Sequence, residues 1–398
     1  MPVPANRTDD WAKGANNIAK PERLPEGFVR ELVNLDPSEG GQLSLRANSL
    51  RVREAANMRL AVALPERVVF VDGGDLGCYS KKTASSAVLG SVNSAGEVAG
   101  VAFYGQVYLS GANDSWRTDG RTVKPWAVPA PGADLEVIDG ALPAGVYKVA
   151  VTALGADGEE SGAEPFILRV NGGKALRISS PDSRPLRVYV SVANGATLFS
   201  QGPLIGGAMA ITQVDDHAEP LTTTGLVPLP ACSLLATHRG VILGAHDCCL
   251  VFTVPMTPHL MDPVAGFFQY PEAVTVIAPT EGGVYVVADQ TYFITGLETA
   301  TPSQLPVLGL KAVQGSAVAL PDKRVAWFTR YGLAIGDSTG AITLPNRQTY
   351  APDLARSGAS GVLENNGIPM VVTTMRGATQ ANNLATGDFA ELETGDEY

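Results

Sequence analysis

The chain is poor in every feature that would mark it as secreted, membrane-embedded or adhesive to nucleic acid. Its first residues, "MPVPANRTDDW", contain no basic stretch followed by an apolar one, so no secretory leader is expected. No run approaches the roughly 18 apolar residues of a membrane-spanning helix, so membrane insertion is not expected either. These two absences predict a protein made and folded in a cytoplasm. Cysteine is scarce: four in 398 residues cannot form the disulfide framework of a small secreted domain. Cys78 and Cys232 stand alone and Cys248–Cys249 are adjacent, which predicts reduced, mostly buried thiols. Charged residues make up only 17%, and Lys and Arg (29) are outnumbered by Asp and Glu (40), for a net charge of -11. An acidic surface repels phosphate backbones, so non-specific DNA or RNA binding is disfavoured. The one basic concentration, Arg46, Arg51, Arg53 and Arg59, reads as a solvated or interface face.

Abundant Gly (43) and Pro (28) stand beside a 45% hydrophobic content. That combination suits many short strands joined by turns. Strands introduced by turns recur as "RGVILGAH", "GGVYVVAD", "KRVAWFTR" and "GIPMVVTT"; anchored on Val241, Val284, Val325 and Met370 they are 43, 41 and 45 residues apart. Second strands follow in "CLVFTV", "QTYFITG" and "YGLAIGD", and a third in "GAITLPN". Upstream, "ERVVFVDG" and "YGQVYLSG" are spaced by about 40, the period of propeller blades.

The rhythm breaks between Val107 and Val241, a gap of 134 residues. Removing one period leaves roughly 90 residues over. They fall in 129–216, where "VYKVAVTAL" alternates, "GADGEESG" turns, and "PFILRV", "ALRISS" and "LRVYVSV" continue as strands. The expectation is an all-β chain: a β-propeller of about six or seven blades with an inserted fibronectin type III-like β-sandwich. Its parts are a docking segment with the first blades (1–128), the insert (129–216), the remaining blades (217–380) and an acidic tail (381–398). The segment Ser49–Leu64 is the one amphipathic stretch with helical character, and Tyr350–Gly358 could form a short turn.

Catalytic chemistry is not legible. Cys232, His238, His246, Asp247, Cys248 and Cys249 cluster in sequence, but without the spacings that bind zinc. Asp72, Asp75, Asp114, Asp119, Asp289 and Asp337 sit beside turn residues, where an Asp bonds nearby backbone. "GANDSWRTDG" does not keep the order of the sialidase box, "VDGGDLG" lacks the Lys-Ser/Thr of a phosphate loop, and Asp157, Glu159 and Glu160 read as a solvated hairpin tip in place of a calcium loop. The chain is expected to be no enzyme, with no cofactor and no metal.

The stretch "GANNIAKPERLPEGFVRELVNLDPSEGGQLSLR" resembles the opening segments of propeller-bearing tail nozzle (tail hub) proteins of short-tailed bacteriophages. The residues that carry the resemblance are Gly14, Ala15, Asn16 and Asn17, then Leu24, Pro25, Glu26 and Gly27, Arg30, and Asn34, Leu35 and Asp36 leading into Gly40-Gly41-Gln42-Leu43. "YGLAIGDSTGAITLPNRQTYAP" is similar to a late blade of that family. One departure is that Arg46 stands before Ala47-Asn48 where such proteins carry a basic run and Pro-Gly. The resemblance implies a virion tail component assembled in the host cytoplasm. It would form a homohexameric ring below the portal and adaptor, meet fibres or spikes, and let double-stranded DNA pass without specific binding. It also implies assembly and docking roles for Asn16, Asn17, Leu24, Pro25, Gly27, Arg30, Asn34 and Asp36. Two rival readings remain open: a carbohydrate- or receptor-binding propeller, which would use Trp11, Trp116, Trp126 and Trp327, and an intracellular interaction propeller.

Overall fold

A computed structural model describes residues 11–32, 35–37, 40–45, 52–93, 95–299, 301–350, 355, 357–365 and 368–376. Asn34, the basic positions 46 and 51, and the acidic tail therefore lie outside the described residues. The chain divides into two compact units, Ala56–Gln269 and Met1–Ala55 with Tyr270–Tyr398.

The first unit opens with two antiparallel meanders. Met58–Ala63, Arg67–Asp72, Asp75–Ser80 and Ser85–Ser91 pair in chain order, and so do Ala99–Phe103, Gln106–Ser110, Ser115–Thr118 and Val123–Pro125. A third sheet follows the insert: Leu234–His238, Val241–His246 and Cys249–Val254, with Thr257–Met261 and Phe267–Gln269 both paired to the last of these. Short sequential meanders are blades, and each buries its faces on the next. Val69, Val71 and Leu76 pack with Val107 and Leu109 between the first two sheets, while Phe103, Tyr108 and Trp126 pack with Ile242 between the second and third. Where strands turn back in two residues, Tyr104-Gly105 and Arg239-Gly240 hold positive φ at both positions, the backbone twist that suits a tight hairpin.

Between the second and third blades stands a two-sheet sandwich of seven strands. Asp134–Leu142, Lys174–Ser179 and Ala208–Ile211 form one sheet. Phe166–Val170, Gly145–Ala153, Leu186–Ser191 and Leu198–Pro203 form the other, in that order. The alternation in "VYKVAVTAL" turns Tyr147, Val149 and Val151 into a core with Leu176, Ile178 and Val188. The pairing order, first-fourth-seventh facing third-second-fifth-sixth, makes this insert a closed core of its own.

In the second unit, Val276–Pro279, Val284–Val287, Thr291–Thr295 and Ser303–Leu308 form one blade. Val318–Ala319, Val325–Thr329, Gly332–Gly336 and Ile342–Thr343 form another. Tyr285 and Phe293 of one pack against Trp327 and Ala334 of the other. A hairpin, Ser357–Asn365 with Ile368–Arg376, hangs from this blade through the Gly358 N–H, which donates to the Gln314 carbonyl at 2.7 Å. The fold is thus all-β, of propeller blades with an inserted β-sandwich; among the described residues the only helical turn is the 3-10 turn Pro21–Arg23.

The helical reading of Ser49–Leu64 is corrected: residues 49–51 lie outside the described set, and Met58–Ala63 is an edge strand paired with Arg67–Asp72. Leu60 and Val62 alternate onto the first blade's core, so burial on a two-residue period overrides the weak helical one.

Candidate functional site

Two polar constructions stand out, one in each unit. The first is the opening segment. Gly14–Ala15 runs parallel to Phe28–Val29, so the chain between them closes as a compact loop. Asn16 is buried; its N–H donates to the Val29 carbonyl at 2.7 Å and its Oδ1 accepts the Ala19 N–H at 2.9 Å. Gly27 holds φ at +86° against the Lys13 side chain, a backbone that L side chains rarely adopt. Lys13 donates to the Glu26 carbonyl at 2.9 Å and lies over the Phe28 ring, and Arg30 donates to the Ala19 carbonyl. The Leu24 N–H closes the 3-10 turn onto the Pro21 carbonyl, and the Phe28 N–H donates to the Pro25 carbonyl. Asp36 pairs with Ser44 in the small ribbon Leu35–Pro37 with Leu43–Leu45.

Of the residues singled out by resemblance, Asn16 and Gly27 therefore act inside the loop. Pro25 and Arg30 are exposed, while Leu24, Asn17 and Asp36 are half-buried. Asn17 faces outward from the loop in one respect: its N–H donates at 3.0 Å to the carbonyl of Thr349, in the turn Asn346–Tyr350. Asn16→Ala should cost about 1–2 kcal/mol, because it strands the half-buried Ala19 N–H and unpins the loop. Chemical denaturation of the full chain measures this. A loss under about 0.5 kcal/mol would remove the pinning role.

The second construction joins the insert to the second blade. The turn Gly155–Glu159 bends back through the Gly155 N–H to the Glu159 carbonyl at 2.7 Å, and places its carboxylates on strand Ser115–Thr118. Arg117, with its side chain 9% exposed, is ion-paired to Glu159 and, at 3.0 Å, to Asp157. Lys124 on the next strand also pairs with Asp157. The Lys124 bond, then the Arg117 charge, hold the Asp157 carboxyl below the usual range against the opposing pull of desolvation. Glu160 points the other way, into the sandwich, where Oε1 accepts from Thr152 at 2.6 Å and from Tyr189 at 2.8 Å. Its backbone carbonyl accepts from His259 Nε2 at 2.9 Å. The expected solvated tip is thus corrected: Asp157 and Glu159 are engaged by a buried cation on the neighbouring strand, and Glu160 by two hydroxyls of the sandwich. The sequence carried no hint of the Arg117 partner, since the residues that meet are some 40 positions apart.

Burial, with the nearby Arg117 charge, holds the His259 imidazolium pKa below its ordinary value, although the Glu160 carbonyl works in the opposite direction. Folding thus favours the neutral ring. Its stabilising effect is complete above the unfolded pKa of about 6.5 and is lost as pH falls from there through the depressed folded value. His259→Gln should flatten the stability profile as pH falls below about 6.5. Denaturation midpoints across that range test it, and an unchanged slope would exclude His259 as the titrating group.

Cys232, His246, Cys248 and Cys249, close in sequence, take up separate positions. Cys248 sits in the two-residue turn after Val241–His246 and only Cys249 lies on the following strand. His246 Nδ1 bonds the Ala231 carbonyl at 2.7 Å, and burial pushes the Cys232 thiol up to about 12. Among the described residues no three His, Cys, Asp or Glu side chains converge to hold a metal ion. Of the turn aspartates, Asp119 and Asp337 bond their own turns, whereas Asp72 accepts from Asn57, Asp114 from Asn93 and Asp289 from Tyr292. All four tryptophans are at least half-buried, and Trp126 spends its N–H on the Pro258 carbonyl at 2.7 Å.

No protein-family model matches the chain, and no curated protein matches it. Among solved structures, the computationally designed Ika8 protein is similar at 11% identity over 85% of this chain and 86% of that one, with a TM-score of 0.37. The N-terminal domain of Nup159 is similar at 11% identity over 85% and 77%, with a TM-score of 0.32. BBS1N, crystallised in complex with ARL6DN, is similar at 9% identity over 81% and 90%, also with a TM-score of 0.32. Likenesses this slight bear on neither activity nor partners.

Proposed function

We propose that this chain is a non-enzymatic structural component of a phage tail, a nozzle or hub subunit. In this reading, copies assemble as a homo-oligomeric ring, taken as a hexamer, that extends the DNA-ejection channel below the portal and adaptor. The observation that carries the reading is the Asn17–Thr349 hydrogen bond. It brings together the two stretches whose sequences resemble that family, from opposite ends of the chain, in one local construction. The loop between Gly14 and Val29 is held rigid by its own buried Asn16 and left-handed Gly27, so it can present Leu24, Pro25 and Arg30 to a partner without losing order. The net charge of -11 suits a channel through which a phosphate backbone slides without sticking. The insert, clamped to its blade by Arg117, would stand as a fixed projection toward fibres or neighbouring subunits.

A receptor-binding propeller stacks sugars on exposed aromatic rings, whereas Trp116, Trp126 and Trp327 here pack in the blade cores. The tail reading is tested by mass spectrometry of purified particles, with tails and heads separated. It expects this chain in the tail fraction at a fixed copy number, and its Pro25→Glu/Arg30→Glu variant to fold but not enter tails. Absence from particles, or a variant that incorporates normally, would overturn the reading or the docking face respectively.

A further inference from the structure

The edges of the inserted sandwich are not treated alike. Its four-stranded sheet ends on one side at Leu198–Pro203, which the chain itself covers: the Ser200 N–H donates to the Glu219 carbonyl at 3.0 Å, and the Leu221 N–H to the Leu198 carbonyl at 2.8 Å. The facing sheet ends at Asp134–Leu142, an edge that carries Asp134, Glu136 and Asp139 and an irregular register before Leu142. Charges and bulges are the usual means of keeping a sheet edge from pairing. The other end of the four-stranded sheet, Phe166–Val170, pairs with Gly145–Val149 in unbroken register and reads Phe-Ile-Leu-Arg-Val. Phe166 is exposed and Ile167 is 69% exposed, two large apolar side chains on the rim of a sheet.

Alternation fixes which backbone groups of this edge face outward. The Val146 N–H donates to Asn194 Oδ1 at 3.1 Å, its carbonyl accepts the Asn194 N–H at 2.8 Å, and the Lys148 N–H donates to Ser191 Oγ at 2.9 Å. Those partners lie at the end of Leu186–Ser191, on the far side of the strand from Phe166–Val170. Successive residues address opposite neighbours, so Gly145, Tyr147 and Val149 exchange the ladder bonds with Val170, Leu168 and Phe166. The N–H and carbonyl of Ile167 and of Arg169 therefore point away from the sheet. Their own strand is the best complement to them. Set antiparallel about a two-fold axis through Leu168, a second copy places its Arg169 opposite Ile167 and its Ile167 opposite Arg169. Each of these pairs exchanges both of its hydrogen bonds, and Leu168 meets Leu168 at the centre. An axis through Ile167 would bring Pro165, which has no N–H, against Arg169, and one through Arg169 would set two arginines face to face. The Leu168 register alone satisfies every outward group, and it lays Ile167 along the aliphatic stem of an arginine.

We propose that the Phe166–Val170 edge of the insert pairs with the same edge of a second copy of this chain, antiparallel about Leu168, so that two sheets become one continuous sheet. A two-fold contact of this kind does not close a ring of six; it joins copy to copy in addition to any ring contact. The inference does not depend on the tail reading.

Disulfide trapping in the full chain tests the register. Across the axis the two Leu168 Cα atoms would lie about 4.5 Å apart, within disulfide reach, whereas like positions at 167 or 169 would be diagonal neighbours about 7–8 Å apart. Under mild oxidation Leu168→Cys should form covalent dimer at least about tenfold faster than Ile167→Cys or Arg169→Cys, after subtraction of the unaltered chain. Equal rates at the three positions, or no dimer from Leu168→Cys, would overturn the proposal. A second arm leaves the half-buried Leu168 untouched and changes only the exposed position 167. Ile167→Glu would face Arg169 of the second copy twice, and Ile167→Lys would oppose it twice. Sedimentation velocity should show the Glu variant associating at least about tenfold more tightly than the Lys variant. Equal affinities, or no association of either, would contradict the pairing. A ring formed through another surface alters neither comparison, so the tail reading and this inference can fail separately.

Discussion

Replacing Arg117 by alanine should destabilise the first unit by about 3–5 kcal/mol, the cost of leaving a buried carboxylate without its cation. The Glu159 side chain is only 10% exposed and faces Arg117, so it cannot rehydrate without opening the turn Gly155–Glu159. Asp157 keeps Lys124 and more solvent, so it contributes little to the loss. Chemical denaturation supplies the magnitude, and proteolysis within residues 155–160 should accelerate in step. The decisive arm is a double-mutant cycle: Arg117→Ala with Glu159→Gln should cost clearly less than the sum of the two. If the two effects simply add, the pair does not hold the insert on its blade.

Trp327→Ala should have a similar effect in the second unit, about 3–5 kcal/mol, by opening a cavity between two blades. Trp327 is fully buried and meets Tyr285 in a tilted contact with centroids 5.1 Å apart; Tyr285 in turn meets Phe293 at 4.7 Å, and its single O–H is shared between the carbonyls of Asp337 and Ala341. Burial raises the Tyr285 pKa strongly, which marks how dry the site is. Trp327→Phe keeps most of the volume and should lose much less. Denaturation with near-ultraviolet dichroism reads both. Equal losses for Ala and Phe would place the cost in the indole itself and not in blade packing.

Much of the fold was legible because blade strands carry their own punctuation. "RGVILGAH" and "KRVAWFTR" begin where turn residues break the chain, and the observed strands Val241–His246 and Val325–Thr329 fall within them. The insert showed itself through a gap in the period and the alternation from Tyr147 to Val151. Met58–Ala63 was harder, since Arg59 and the neighbouring arginines mask a two-residue pattern until its partner strand is known. The candidate sites were less legible still. Nothing local in "GANDSWRTDG" points Arg117 at Glu159. Such contacts form between distant segments, and sequence spacing carries information only about residues on one element.

The tail assignment depends on assembly, and assembly can be seen directly. Electron microscopy of the full-length protein and of purified particles should show a closed ring of copies around an open channel, sixfold in symmetry, with the insert as a repeated protrusion. A protein that remains monomeric at micromolar concentration and is missing from the particle's tail would contradict the account.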